Sequence, residues 1–379
     1  MEFLRQKFTI FAIGMAMFTM FFGAGNIVFP LLVGKVFQGQ VSYALLGLII
    51  TAVGVPFIGL ISMTLYEGNW RHFFEKLGKI PSLILVVLLM ALMGPFGATP
   101  RCLALSYSTA AMFFPGTNLI LFSLISCVVL YVLTIKKDRL AALLGPVLTP
   151  FFIITMGIIV VKGLLTPVDA IAMTDYSEMT AFFEGLHSGY QTMDLIGAFF
   201  FCTVVVQGLV RSAIVNGSFH RKQFLKNTLL SSLVGAVLLT VVYVGMSLVA
   251  AKHAVSLSDV PIEALLGTIA LQVLGPYGGV LTCIAVILAC FTTAMALISI
   301  FAEFLSRDIL QGKISYKQAL VITLAITFCV STLEFGGIAR LLAPIVEVLY
   351  PALLALSVVN IVKKMWSVSL ARGDVPTVL

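Results

Sequence analysis

Apolar residues run through this chain in long blocks, and polar residues are confined to the gaps. The blocks fall near 8–34, 41–66, 81–112, 117–135, 140–165, 185–212, 228–251, 276–303, 316–335 and 338–362. A helix needs about 20 mostly apolar residues to cross a bilayer, and each block meets that length. The pattern predicts an all-α integral membrane protein of about ten transmembrane helices. Block 81–112 is longer than one crossing requires and contains Gly94-Pro95 and Thr99-Pro100, which predicts a tilt or a kink there.

Composition supports lipid as the solvent. Hydrophobic residues make up 60% of the chain and charged residues 10%, against roughly 25% charged in soluble domains. The basic start before residue 8 imitates a signal peptide, but the apolar run behind it is too long and no A-x-A cleavage site follows. It reads as a retained first helix. The six cysteines lie in apolar runs without a C-x-x-C pair, and the four histidines lie near segment ends without ligand spacing. Helix packing and interfacial placement account for both.

Charge orders the helices. With the N-terminus inside, ten helices place 18 of the 23 Lys and Arg on the cytoplasmic side, and the exceptions are Lys35, Arg101, Lys162, Lys252 and Arg340. The positive-inside rule asks for this bias. The loop after Leu165 carries Asp169, Asp175, Glu178 and Glu184 without Lys or Arg, as an outside loop should. The net charge of +7 then reflects loops facing anionic lipid, not nucleic-acid binding. Five helices fill residues 1–165, five fill 166–363, and 364–379 reads as a short cytoplasmic tail. An odd number per half makes the second half enter from the opposite side, as an inverted repeat requires.

Chemistry concentrates in a few segments. Gly23, Ala24, Gly25 and Asn26 sit near mid-membrane in the first helix. Either the helix unwinds there and bares carbonyls and N–H groups, or the small residues form a packing face. The first helix of the second half holds Tyr190, Gln191, Thr192, Met193 and Asp194. An acid at that depth costs about 2.5–3.5 kcal/mol, so Asp194 faces a cavity, a partner or an ion, or else caps a helix near the interface. Interruptions in equivalent helices of two halves are the sequence pointer to a transporter site. Thr99 and Arg101 close the Gly94–Arg101 segment. Arg101 either pairs with Asp194 across the outer path or reaches the headgroups. Thr292 and Thr293 offer hydroxyls for sodium or bond back to their own helix. Glu347, between Pro344 and Pro351, reads as deeply placed, serving a proton or an internal salt bridge.

Together GAGNIVFP, GPFGATPR, GYQTMDLIGA and ACFTTAMAL followed by AEF, from Phe8 to Pro351, resemble the branched-chain amino acid:cation symporters, the system II carriers. The resemblance implies a LeuT-type five-plus-five inverted repeat with broken first and sixth helices. It also implies sodium-coupled uptake of leucine, isoleucine and valine across a bacterial inner (plasma) membrane, with both termini cytoplasmic. Gly23, Ala24, Gly25 and Asn26 would line the substrate site, facing Tyr190, Thr192, Met193 and Asp194, with Thr99 and Arg101 nearby. Sodium, the coupling ion and the sole cofactor-like partner, would lie between the carbonyls near Thr19 and Phe22 and the hydroxyls of Thr292 and Thr293. Members carry twelve helices as a rule, whereas ten runs are present here. The readings that compete are a proton-coupled or other neutral amino acid carrier on the same scaffold, a membrane enzyme and a channel. The acidic residues are too scattered for an enzyme site, and a channel needs no central break.

Overall fold

The computed structural model describes residues 2–135, 140–168, 174–202 and 221–370. The regular elements among these residues are helical, and none is a strand. The first apolar run divides into α1 (Glu2–Phe21) and α2 (Ala24–Phe37). Gln38, at φ 38°, turns the chain. The second run then forms a rod from α3 (Val41–Ile49), a π-helical turn over Ile50–Gly54 and α4 (Val55–Leu65). After the short α5 (Trp70–Phe74) come α6 (Lys79–Met93) and α7 (Ala98–Ala111). The expected kink in the third run is therefore a full interruption at Gly94–Gly97.

Next are α8 (Leu119–Thr134), α9 (Leu140–Leu165) and α10 (Glu178–Tyr190), followed by α11 over 194–202. The remainder comprises α12 (Arg221–Lys252), α13 (Leu265–Phe304), α14 (Tyr316–Ser331) and α15 (Glu334–Leu370). Gly275, at φ 74°, bends α13 just before Pro276. Side-chain caps fix several starts. Asn118 accepts from the N–H groups of Ile120 and Leu121, Ser177 accepts from Thr180, and Ser315 with Gln318 forms a capping box. Each cap satisfies helix-end donors that otherwise lack partners.

Among the described residues, five helical stretches, bent or interrupted in places, are long and apolar enough to cross a membrane: Ala24–Leu65, Lys79–Ala111, Lys226–Lys252, Ile262–Ile309 and Glu334–Trp366. Shorter apolar helices cover Lys7–Phe21, Leu119–Thr134, Pro150–Leu165 and Tyr316–Ser331. Leu121, Leu124, Ile125, Val128 and Val132 of α8 are exposed, an outer face suited to lipid and not to water. The sixth run beyond residue 202, with Arg211, lies outside the described residues. So do Lys136, Lys137, Arg139, Asp169 and the tail from 371 with Arg372. α15 runs past the expected tail start at 364 as far as Leu370.

The helices that carry the site pack tightly. α1 and α2 both lie on α12, α3 lies on α10, and α13 lies on α7 and α9. Between α3 and α10 the backbones touch. A Cβ on Gly185 would stand 2.0 Å from the carbonyl oxygen of Ala44, and one on Gly47 would stand 2.2 Å from that of Phe182. Small residues permit this approach, which is the usual source of packing energy between helices in lipid.

Candidate functional site

Two helix interruptions meet at the centre of the molecule. Between α1 and α2 the N–H of Gly23 is taken by the side-chain oxygen of Asn26 at 3.1 Å. The Phe18 carbonyl accepts from the Phe22 N–H at 2.8 Å, whereas the later carbonyls of α1 and the N–H groups of the first turn of α2 have no intrahelical partners, as at any helix end. Pro30 adds one more orphan, since it has no N–H for the Asn26 carbonyl one turn back. Between α10 and α11 the chain passes through Met193 at φ 64°. A left-handed conformation costs a non-glycine residue about 1–3 kcal/mol and persists where surrounding structure dictates it.

The two breaks are in direct contact. A Cβ on Gly25 would lie 3.2 Å from the Thr192 Cα and 3.3 Å from the Gln191 carbonyl oxygen, so only glycine fits without displacement. Asn26 then donates its amide to Asp194 Oδ2 at 2.6 Å and to the Tyr243 hydroxyl. Tyr243 in turn donates to Asp194 Oδ2 at 3.2 Å. All three residues are buried. Tyr350 accepts from the N–H of Leu195 at 3.1 Å and so holds the start of α11.

A small cavity of about 30 Å³ lies against these breaks. Gly23, Ala24, Gly25, Asn26, Thr192, Met193, Asp194 and Arg101 line it. Its apolar wall includes Met93, Phe201 and Leu297. Thr99 is fully buried and its hydroxyl has no partner among the described residues, but it does not border the cavity. Tyr190 is also outside the lining, and its ring packs on Tyr350 at 4.8 Å.

The expected Arg101–Asp194 pair does not form. Arg101 donates from Nη1 to the Gln191 carbonyl at 2.7 Å and from Nη2 to the Gln191 side-chain oxygen at 2.9 Å. Its guanidinium carbon lies 5.6 Å from the Phe29 ring centre and 5.7 Å from that of Phe335. The cation completes the carbonyl end of α10, where the helix dipole is negative. Asp194 lies at the start of α11 and is met by α2 and α12 instead. Arg101 does not reach the headgroups either, because it is 2% exposed. Beyond it opens a second cavity of about 710 Å³, bordered by Phe29, His187, Gln191 and Arg340. Arg101, Gln191 and Phe29 thus wall the central cavity from this wider one.

A small cavity of about 20 Å³ gathers Phe18, Thr19, Phe22, Phe152, Thr292 and Thr293. It brings together the four residues expected around sodium. Thr293 borders both this cavity and the central one. Two of the hydroxyls also bond back to their own helices, Thr19 to the Met15 carbonyl at 2.9 Å and Thr292 to the Ala289 carbonyl at 2.8 Å. Their oxygen lone pairs still remain as acceptors. Glu347 is not deep. Its side chain is 43% exposed and pairs with His187 Nδ1 at 3.2 Å.

Sequence reasoning missed Tyr243 and Tyr350, and it named Gln191 without a role of its own. Tyr243 is the single hydroxyl-bearing aromatic within the apolar run 228–251, a mid-span polar group that needs a partner. Cys102, read as packing, also borders the central cavity.

The sequence model described as "Branched-chain amino acid transport protein" matches residues 6–375. A Staphylococcus aureus (strain USA300) protein is 26% identical over 388 residues, covering 97% of this chain and 85% of that protein. A Staphylococcus haemolyticus protein is 28% identical over 368 residues, covering 92% and 80%. A Staphylococcus saprophyticus protein is 28% identical over 361 residues, covering 89% and 78%. Each bears the name "putative branched-chain amino acid carrier protein".

Proposed function

The chain belongs to the branched-chain amino acid transport protein family, and from that premise we propose that it is a secondary active symporter importing leucine, isoleucine and valine with sodium. The observation that carries the reading is the contact of two helix breaks beside a small central cavity. Unpaired backbone at membrane depth is tolerated where it lines a cavity or binds a solute.

The roles follow from the ends exposed. The substrate carboxylate meets the N–H groups of the first turn of α2, the positive end of that helix. The ammonium meets carbonyls at the end of α1 and the carboxylate of Asp194. The branched side chain enters the apolar wall of Met93, Phe201 and Leu297. Sodium takes the small cavity at Thr19, Phe22, Thr292 and Thr293, and so braces the end of α1 against α13. Arg101, with Gln191, closes the site on the side of the wide cavity. Thr99 and Tyr190 support it from behind.

In this reading the chain crosses a bacterial inner membrane ten times as two inverted halves, both termini facing the cytoplasm. Alternating access arises from movement of the broken helices against the rest. The test is uptake of labelled leucine by purified protein in liposomes. An inward sodium gradient drives accumulation, and isoleucine and valine compete. Accumulation of leucine that ignores the sodium gradient would overturn sodium coupling, and absence of competition by the other two would overturn the substrate class.

A further inference from the structure

The rod formed by α3, the π-turn over Ile50–Gly54 and α4 runs beside both halves of the broken helix α10–α11. Its first half is locked to α10. Besides the backbone approaches at Gly47 and Gly185, a Cβ on Gly189 would stand 1.9 Å from the Thr51 hydroxyl oxygen and 2.9 Å from the Leu48 carbonyl oxygen. Thr51 also donates to the Leu186 carbonyl at 2.9 Å. The second half of the rod meets α11. A Cβ on Gly59 would stand 2.6 Å from the Leu195 side chain, and the Cys202 thiol donates to the Leu60 carbonyl at 3.9 Å. The π-turn therefore lies level with the break at Gln191–Met193. Thr51 touches the end of α10, while Ala52, Val53 and Pro56 share a small cavity of about 20 Å³ with Asp194 at the start of α11.

Local sequence accounts for the π-turn. Pro56 has no N–H for the Ala52 carbonyl one turn back, and the Val55 N–H reaches five residues back to the Ile50 carbonyl. Such a turn is a place where a helix bends. Gly54 closes it, and a Cβ on Gly54 would meet nothing nearer than 3.9 Å. No packing contact demands a glycine there, whereas a bending rod gains from its backbone freedom.

The two halves of the rod are anchored differently. α4 and the segment after it are tied to α15 and to the end of α13. Ser62 donates to the Ser357 carbonyl at 3.3 Å, Asn360 donates to the Phe73 carbonyl at 3.3 Å, and Arg71 pairs with Asp308. α3 lies chiefly on α10. α10 and α15 are facing walls of the wide cavity, through His187 and Ser188 on one side and Arg340 on the other. What joins these walls is side chains: the exposed His187–Glu347 pair, and the Tyr190 ring on Tyr350 beside the break. An exposed ion pair contributes little, so α10 is held far more firmly to α3 than to α15. We propose that α3 and α10 move as one body, an outer gate that pivots at the π-turn and at Gln191–Met193 and closes the wide cavity against α15, while α4 and α11 stay with α15. A ligand shifts such an equilibrium only through contacts that differ between the two states. Substrate in the central cavity meets that condition, because the cavity is lined by Thr192 and Met193 of the second pivot.

The inference rests on the carrier reading above, and the test separates the two. Cys329 is exposed and is first replaced, Cys329→Ser. Spin labels are then attached in pairs at exposed positions, and distances are measured in full-length protein in liposomes. Leu46→Cys with Phe183→Cys reports within the gate, Glu67→Cys with Val362→Cys within the fixed half, and Phe183→Cys with Leu341→Cys across the wide cavity. Sodium and leucine together should shorten the Phe183–Leu341 distance and leave the other two unchanged. Gly54→Ala and Pro56→Ala each favour a regular α-helix through the turn. Both should reduce the shortening and slow leucine uptake several-fold, with leucine affinity retained. A Phe183–Leu341 distance that does not shorten, in protein that accumulates leucine, overturns the inference and leaves the carrier reading intact. So does a change in the Leu46–Phe183 distance, which would mean that α10 moves without α3, and so do full uptake rates in both Gly54→Ala and Pro56→Ala. Failure of the unaltered protein to bind or take up leucine overturns both.

Discussion

The Asn26 amide and the Asp194 carboxylate, 168 positions apart in the chain, stand 2.6 Å from each other. The contact joins the start of α2 to the start of α11. It makes one unit of two breaks that neither helix could hold open alone, since the Asn26 oxygen simultaneously secures Gly23. Asn26→Ala removes the donor and leaves a buried carboxylate short of one bond. Losing a hydrogen bond to a charged group costs about 1.5–3 kcal/mol, and each 1.4 kcal/mol corresponds to about a tenfold change. The initial rate of leucine uptake at low substrate should fall about 10- to 100-fold, measured in liposomes at matched protein insertion. An unchanged rate would remove the contact from the transport cycle.

Arg101 and Gln191 should behave as a coupled pair, and Arg101 and Asp194 should not. The guanidinium reaches both the carbonyl and the side-chain oxygen of Gln191, a fork that lysine cannot reproduce. Arg101→Lys and Gln191→Ala should each lower the melting temperature and the uptake rate. Their double-mutant cycle should show an interaction of about 0.5–3 kcal/mol. Exchanging Arg101 and Asp194 should restore nothing, because each would then face partners of the wrong kind. Recovery of uptake in the exchange would place these charges opposite each other during the cycle.

Much of this architecture was legible in the sequence because lipid imposes strong rules. The apolar runs gave the helices, and glycines beside Asn26 and Asp194 marked the two interruptions. The third interruption, at Gly94–Gly97, was legible only as a kink, because sequence shows that a helix is weakened and not how far it opens. Partner choice was harder. Arg101 and Asp194 looked like a pair on charge alone, yet the carbonyl end of α10 draws the arginine and leaves the acid to Asn26 and Tyr243. Tyr243 was invisible since an aromatic within an apolar run reads as packing until something polar is found opposite its hydroxyl. The partner of Glu347, His187, was not legible, because two flanking prolines say nothing about which way a side chain faces.

The two neighbouring threonines of α13 should separate sodium from substrate. Thr292 borders the small cavity alone, whereas Thr293 borders both the small and the central cavities. Removing one hydroxyl ligand at a cost of about 1.4 kcal/mol weakens binding about tenfold. Thr292→Val should raise the half-saturating sodium concentration by about that factor, with little change in leucine binding at saturating sodium. Thr293→Val should raise the half-saturating concentrations of both. Sodium dependence that survives both substitutions would remove the ion from this cavity.

Leucine, isoleucine and valine should be weakly distinguished, and Leu297 should set the upper size limit. Met93, Phe201 and Leu297 form the apolar wall of the central cavity, and all three are buried. An apolar pocket distinguishes substrates by one methylene with only about 1–3 kcal/mol, so valine should compete with leucine within roughly 10- to 200-fold. Rejection of larger side chains rests on overlap with the wall, which close packing makes steep. Leu297→Ala clears space beside Phe201 without touching Asn26, Asp194 or the first turn of α2. Phenylalanine or methionine should then inhibit labelled leucine uptake at concentrations about tenfold lower than for the unaltered protein, a shift of about 1.4 kcal/mol. Valine should compete less well, since its short side chain loses contact with the wall. The sodium requirement should persist, because Leu297 borders none of the small cavity. Inhibition curves for these amino acids that coincide before and after the substitution would move the side-chain pocket away from α13.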